Sequence, residues 1–154
     1  VRIEPDDLTS AAVVAFLEAH VAQLRATSPP GSSHALDLAG LRARDVSFWS
    51  AYDGGDLVGC VALKRLTGPP DGHAELKSMR TAPDRLGQGI GARLLTFALE
   101  QARDAGFTRV SLETGSQDFF APAHRLYARH DFVACEPFAG YRPDPSSRFM
   151  TRTL

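Results

Sequence analysis

The stretch Arg85-Leu86-Gly87-Gln88-Gly89-Ile90-Gly91-Ala92 constrains this chain more than any other. Three glycines at alternate positions follow an extended run, Ala74 to Ala82, and open directly into Arg93-Leu94-Leu95-Thr96-Phe97-Ala98. Glycine has no Cβ, so this backbone turns sharply and lets a ligand approach its N–H groups. At a helix start those N–H groups lack intrahelical acceptors, and the helix dipole favours negative charge. Strand, glycine turn and helix in this order predict an anion-binding cradle. A tight strand-to-helix turn without a ligand satisfies the same glycines.

Two other phosphate sites fit less well. Gly87-x-Gly89-x-x-Ala92, with Glu113 downstream, has the spacing of a dinucleotide-binding turn. That turn needs the strand to enter the first glycine directly, inside a βαβ unit. Here Pro83-Asp84-Arg85-Leu86 intervene, and the preceding segments read as antiparallel hairpins. No Gly-Lys-Ser/Thr follows, which excludes a nucleotide-hydrolysing P-loop.

At 154 residues the chain suits one domain, spanning residues 1–154, with a proper core. Its 17 basic and 18 acidic residues leave a net charge of −1, so no global field recruits nucleic acid or an anionic membrane. Cys60 and Cys135 sit in apolar, strand-like settings and are expected as buried free thiols in a reducing, cytoplasmic compartment. No apolar run reaches transmembrane length, and no signal-peptide pattern is expected. No His/Cys/Asp cluster has zinc spacing and no Ser/His/Asp set is evident, so neither a metal nor a covalent mechanism is expected.

Local patterning predicts a first strand over Val1–Glu4, then a helix capped by Asp6, Asp7 or Thr9 and running to about Ala26. Val13, Phe16, Leu17, His20 and Leu24 form its apolar face. A second short helix is expected over His34–Leu41. Strands over Val46–Tyr52 and Leu57–Leu63 flank the turn Asp53-Gly54-Gly55-Asp56, and the next strand begins at His73 or Ala74. The post-glycine helix runs to about Ala105 and is stopped by Gly106. A strand over Arg109–Glu113 precedes a helix over Ala121–His130, with Pro122 in its first turn and Ala123, Leu126, Tyr127 and His130 facing inward. Phe132–Cys135 and Arg148–Thr151 close the sheet. The order β–α–α–β–β–β–α–β–α–β–β predicts an α/β fold with an antiparallel first half.

Over nearly its whole length the chain resembles the GNAT superfamily of acyl-CoA-dependent N-acyltransferases, in a small bacterial form. The resemblance rests on Glu75-Leu76-Lys77-Ser78-Met79-Arg80-Thr81-Ala82-Pro83 leading into Gly87-Gln88-Gly89-Ile90-Gly91, and on Ala123-His124-Arg125-Leu126-Tyr127 leading to Phe132. Ser111–Ser116 and Glu136–Tyr141 add to it. Leu86 stands where the family usually has Arg or Gln, Asp131 replaces a glycine, and Phe120 stands where many members carry Asn. The resemblance implies a mixed, mostly antiparallel sheet, splayed at the acyl-CoA site, with helices on both faces.

It also implies acetyl-CoA as co-substrate and a small or amino-acid-like amine as acceptor, attacking directly in a ternary complex of a monomer or homodimer. Leu86, Gly87, Gln88, Gly89, Ile90, Gly91 and Ala92 would hold the pyrophosphate. Met79, Arg80 and Thr81 would offer a strand edge to the pantetheine amides. An alkylammonium has a pKa near ~10, so a base must take its proton. Glu75 matches the family's base position; read without the family, it is a solvated carboxylate or a partner of Lys77. Glu113 is a second base or an ammonium-binding group. Tyr127 matches the acid that protonates the departing thiolate, and equally fits a core tyrosine. His34, His73 and Trp49 are candidate acceptor contacts. A peptide acceptor and a CoA-binding module without turnover are the alternatives.

Overall fold

Asp53-Gly54-Gly55-Asp56 folds the chain back on itself, and Gly54 takes φ +61°, a conformation that costs glycine nothing. The turn joins β2 (Val46–Asp53) to β3 (Asp56–Arg65) in antiparallel register from Asp53↔Asp56 to Val46↔Lys64. In this computed structural model, which describes residues 1–31 and 37–154, the hairpin is the first half of a seven-stranded mixed sheet. β1 (Arg2–Pro5) lies on its outer side; β4 (His73–Thr81), β5 (Arg109–Gly115), β7 (Ser147–Thr153) and β6 (Val133–Ala134) follow in that order on the other. Only β4 and β5 run parallel, joined by helix α3 (Ile90–Asp104).

Alternation along β3 divides the core. Val61 and Leu63 pack with Leu94, Leu95, Ala98 and Leu99 of α3, whereas Cys60 and Ala62 meet Val13 and Leu17 of α1 (Ala11–Thr27) and Leu41 of α2 (Leu38–Leu41). Each fully buried leucine contributes about 1.5–3 kcal/mol. Helix α4 (Ala121–Arg129) joins the α3 face through Ala123, Leu126 and Tyr127. Helices therefore cover both faces, and the expected order of elements holds.

The boundaries differ where side chains take other partners. Helix α1 is capped by Ser10, not by Asp6, Asp7 or Thr9. Asp6 accepts from the Leu8 N–H and the Ser50 hydroxyl, Asp7 accepts from Thr9, and Leu8 sits at φ +64°, which breaks a helix. Helix α2 begins at Leu38 under an Asp37 cap rather than at His34; His34 lies outside the described residues. Cys60 is a buried thiol as expected, but Cys135 is only half-buried. No described helix is long and apolar enough to cross a membrane.

Gly115 ends β5 because Phe120, in the turn before α4, takes the space a side chain would need. Gly115→Ala drives a Cβ into the Phe120 ring. Urea unfolding is expected to show a loss of about 1–3 kcal/mol, the usual cost of overpacking; an unchanged midpoint would show that the ring moves aside freely.

Candidate functional site

β4 and β5 pair at three positions only, His73↔Arg109, Ala74↔Val110 and Glu75↔Ser111. Beyond Glu75 they diverge, so the β5-facing edge of residues 76–81 carries backbone groups with no strand partner. A bulge helps the parting. Cys60 pairs with Arg80 but Ala62 with Lys77, which puts two β4 residues opposite Val61, and Ser78 takes φ +52°. The split opens a cleft of about 140 Å³ between Met79 of β4, Glu113 of β5 and Tyr127 of α4.

One end of the split is capped by the glycine loop. Gly87 (φ +77°) and Gly89 (φ +80°) hold a left-handed backbone, and Gly89 is the N-cap of α3. The first α-helical bond runs from the Arg93 N–H to the Gly89 carbonyl, so the N–H groups of Ile90, Gly91 and Ala92 have no intrahelical acceptor. A Cβ at Gly87 or Gly89 would meet nothing within 4 Å. Open space over unpaired N–H groups at a helix N-terminus fits a diphosphate. Side chains add little to this cradle. Leu86 is 67% exposed, and Arg85 is turned away onto Asp53 and Asp56 at 2.8 Å each.

The sheet face opposite α3 is polar at this point, because His73, Glu75 and Lys77 alternate with Ala74 and Leu76 along β4. Glu75 is 3% exposed. Its Oε2 accepts from Lys77 Nζ at 3.1 Å and from the Tyr141 hydroxyl at 2.5 Å, and Lys77 also donates to that hydroxyl at 3.0 Å. Tyr141 comes from the segment between β6 and β7. Edge-on and tilted ring contacts among Phe138, Tyr141 and Phe149, with His73 beside Phe138, fix that segment over the sheet. Burial, then the nearby Glu75 carboxylate, pushes the Tyr141 phenol up.

Across the split stands Glu113. Burial pushes its carboxyl up to about 7, with Glu75 and Asp144 adding to the shift and Lys77 and the Ser147 hydroxyl opposing it. Tyr127 enters from the α3 side, 8% exposed and edge-on to Phe132, and burial pushes its phenol up so that it stays protonated near neutrality. His20 of α1 also lines the cleft; burial and the Arg80 guanidinium pull its imidazole down to about 4. Among the described residues no group of His, Cys, Asp or Glu is arranged to hold a metal ion.

A strand that parts from its parallel neighbour, and a helix opening on glycines beside the gap, invite comparison with known proteins. The profile of the Acetyltransferase (GNAT) family matches residues 13–132. The chain belongs to this family. The uncharacterized N-acetyltransferase YedL of Escherichia coli is 49% identical over 152 residues, which cover 99% of this chain and 94% of that protein. The uncharacterized N-acetyltransferase YsnE of Bacillus subtilis is 45% identical over 153 residues, 99% of each chain. A Klebsiella pneumoniae structure assigned as an acyl-CoA N-acyltransferase superposes with a TM-score of 0.81 at 30% identity, covering 99% of this chain and 97% of that one. The splayed sheet expected of a GNAT fold is present.

Glu75, Glu113, Met79 and Tyr127, read from the sequence as site residues, line one cleft, and Gly91 of the glycine loop lies beside Thr81 at the free end of β4. Arg80 points onto α1, donating to Gln23 at 2.7 Å with its guanidinium over Phe16. Two acceptor candidates fall elsewhere. Trp49 packs edge-on against Phe97 on the α3 face, and His73 is tied to the Ser111 hydroxyl at 2.6 Å. Sequence reading missed His20 and Tyr141. The Glu136–Tyr141 stretch was the one available signal for Tyr141. Gly89→Val sets a branched side chain at φ +80° in the open cradle, so acetyl-CoA affinity by calorimetry is expected to fall at least ~10-fold. Undiminished affinity in a folded variant would remove the cradle assignment.

Proposed function

We propose that this protein is an acetyl-CoA-dependent N-acetyltransferase acting on the primary amine of a small molecule by direct attack in a ternary complex. The observation that carries the reading is the split where β4 and β5 part after Glu75, lined by Glu113 on β5 and Tyr127 on α4; burial raises the Glu113 carboxyl to about 7 there. Acetyl-CoA supplies the acetyl group as a thioester; the amine's nitrogen forms the bond to the acetyl carbon, the carbon–sulfur bond breaks, and CoA leaves as the thiolate. The N–H groups from Gly87 to Ala92 hold its pyrophosphate, with Leu86 bordering the loop, and the free edge at Met79–Thr81 meets its amides. Tyr127, protonated and on the α3 side of the split, gives its hydroxyl proton to the sulfur, and the proton that the nitrogen sheds on becoming an amide restores the phenol.

Glu113 takes the proton of the incoming ammonium. Between the two carboxylates, Glu113 is better supported as the base. Glu75 already accepts from Lys77 and Tyr141, and those bonds compete with any proton it would take. Glu75 then acts through the cluster that frames the ammonium.

Three measurements test this. In the wild type, kcat/KM is expected to fall as pH drops below about 7, because Glu113 must be ionised. Glu113→Gln removes that limb and lowers kcat/KM by roughly 10²-fold or more; an unshifted profile would return the role to Glu75 or to water. The same group has a stability sign. Its folded pKa lies above the usual 4.5, so its contribution is fully present below that value and is lost as pH rises towards about 7. The Gln variant should lack that slope in denaturant midpoints. Tyr127→Phe keeps the ring, so CoA affinity should stay within a few-fold while kcat drops by roughly 10²-fold. Wild-type turnover with chemistry rate-limiting would leave Tyr127 a core residue.

A further inference from the structure

A second cavity, about 580 Å³, adjoins the cleft on the face opposite α3 and shares Glu75, Lys77 and Tyr141 with it. Lys64 of β3 and Arg142, the residue after Tyr141, stand in its wall. Lys64 is the cross-strand partner of Glu75, so both side chains rise from the same side of the sheet. Lys64 is half-buried and Arg142 exposed, and neither appears in a hydrogen bond, ion pair or ring contact among the described residues. The acidic residues on the wall are already engaged. Glu75 is bound by Lys77 and Tyr141, and Asp144 accepts from the Ser146 N–H at 2.8 Å.

Two cations without a partner among the described residues, in a cavity that adjoins the cleft holding Glu113, make a site of split charge. We propose that this cavity is a carboxylate subsite, and that the acceptor is a small amino acid whose amine reaches Glu113 while its carboxylate meets Arg142 and Lys64. The inference rests on the acetyltransferase reading above and names its substrate class. Arg142 offers a planar fork that matches a carboxylate, and Lys64 adds a point charge from the sheet. The phosphates of acetyl-CoA do not compete for these cations. Lys64 projects on the α1 face of the sheet with Cys60 and Ala62, whereas the glycine loop opens into α3 on the other. Adjacent strands lie about 4.8 Å apart, so Lys64 on β3 stands roughly 10 Å from Ser111 on β5, its register partner through Glu75, and farther from Glu113, which lies two residues on and beyond the parting. Both α-amino and ω-amino acids therefore belong in the test.

The test uses the full chain, a panel of L-α-amino acids and unbranched ω-amino acids, and the carboxamide of each. Thiol release from acetyl-CoA gives kcat and KM, and calorimetry in the presence of CoA gives acceptor binding without turnover. The wild type is expected to favour at least one carboxylate over its carboxamide by ~10-fold or more in KM, the scale of a lost charge-assisted contact. Lys64→Gln with Arg142→Gln should raise KM for that carboxylate by ~10-fold or more, change KM for the carboxamide no more than about two-fold, and move kcat little. Turnover that ignores the carboxylate, or variants that weaken acid and carboxamide alike, overturns the subsite and leaves the acetyltransferase reading standing. Saturable binding of the carboxylate, lost in the double variant but without thiol release from any amine, supports the subsite and overturns the acetyltransferase reading. Absence of both binding and turnover across the panel overturns the proposal.

Discussion

The parting of β4 from β5 after Glu75 is the constraint on which the rest of the site depends. Parallel strands in a closed sheet would satisfy each other's backbone groups and leave no gap. Here the pairing stops after three positions, the bulge at Ser78 twists β4 away, and Phe120 fills the end of β5 against Gly115. A wedge then opens inside the sheet, where edges are normally avoided. Its unpaired backbone serves as a binding surface because a ligand with amides can complete it. The helix that follows the glycine loop starts beside the wedge, so in the proposed reading the dipole and the free edge act on one extended ligand.

In the proposed reaction the same splay puts the two proton transfers on opposite faces. Alternation sets Glu75 and Glu113 towards α1, while Tyr127 reaches the cleft from the layer of α3 and α4. A proton taken from the amine on one face and a proton given to the sulfur on the other need not pass through a single residue. Closing the α1 side falls to the segment between β6 and β7, held at its ends by backbone bonds (Cys135 N–H to the Phe149 carbonyl, Ser116 N–H to the Ser146 carbonyl) and in its middle by Phe138 and Tyr141 packed on Phe149. Such an attachment fixes Tyr141 while leaving the neighbouring positions, Arg142 among them, open to variation in the acceptor.

Local features were legible in the sequence, and distant ones were not. The glycine loop, the Gly106 stop and the inward stripe of α4 are each written within a few residues, so pattern and propensity suffice to read them. Glu75 and Lys77 sit two apart on one strand and were readable as partners. The third member, Tyr141, lies 66 residues from Glu75 and is delivered by an aromatic cluster that no local pattern encodes. The different surroundings of Glu113 and Glu75 were hidden for the same reason. Both read as strand carboxylates; what separates them is the company that tertiary packing gives each. Trp49 shows its α3 face only once the register is known, and His73, on the same face as Glu75, is seen tied to Ser111 only once β4 and β5 are paired.

That company also explains why a carboxyl near neutrality is held in this particular place. A lone buried Glu75 beside Glu113 would add repulsion to burial and push proton uptake further up. Lys77 and Tyr141 neutralise and bond Glu75, so the field that Glu113 feels from its neighbour is moderated, and desolvation becomes the leading cause of its shift. A buried ion pair is a poor source of stability, because the desolvation of two charges offsets most of their attraction. Its value here lies in setting the potential at the split. The wedge also lets Glu113 keep part of its hydration, so opening the sheet and raising the Glu113 carboxyl are consequences of a single geometric choice.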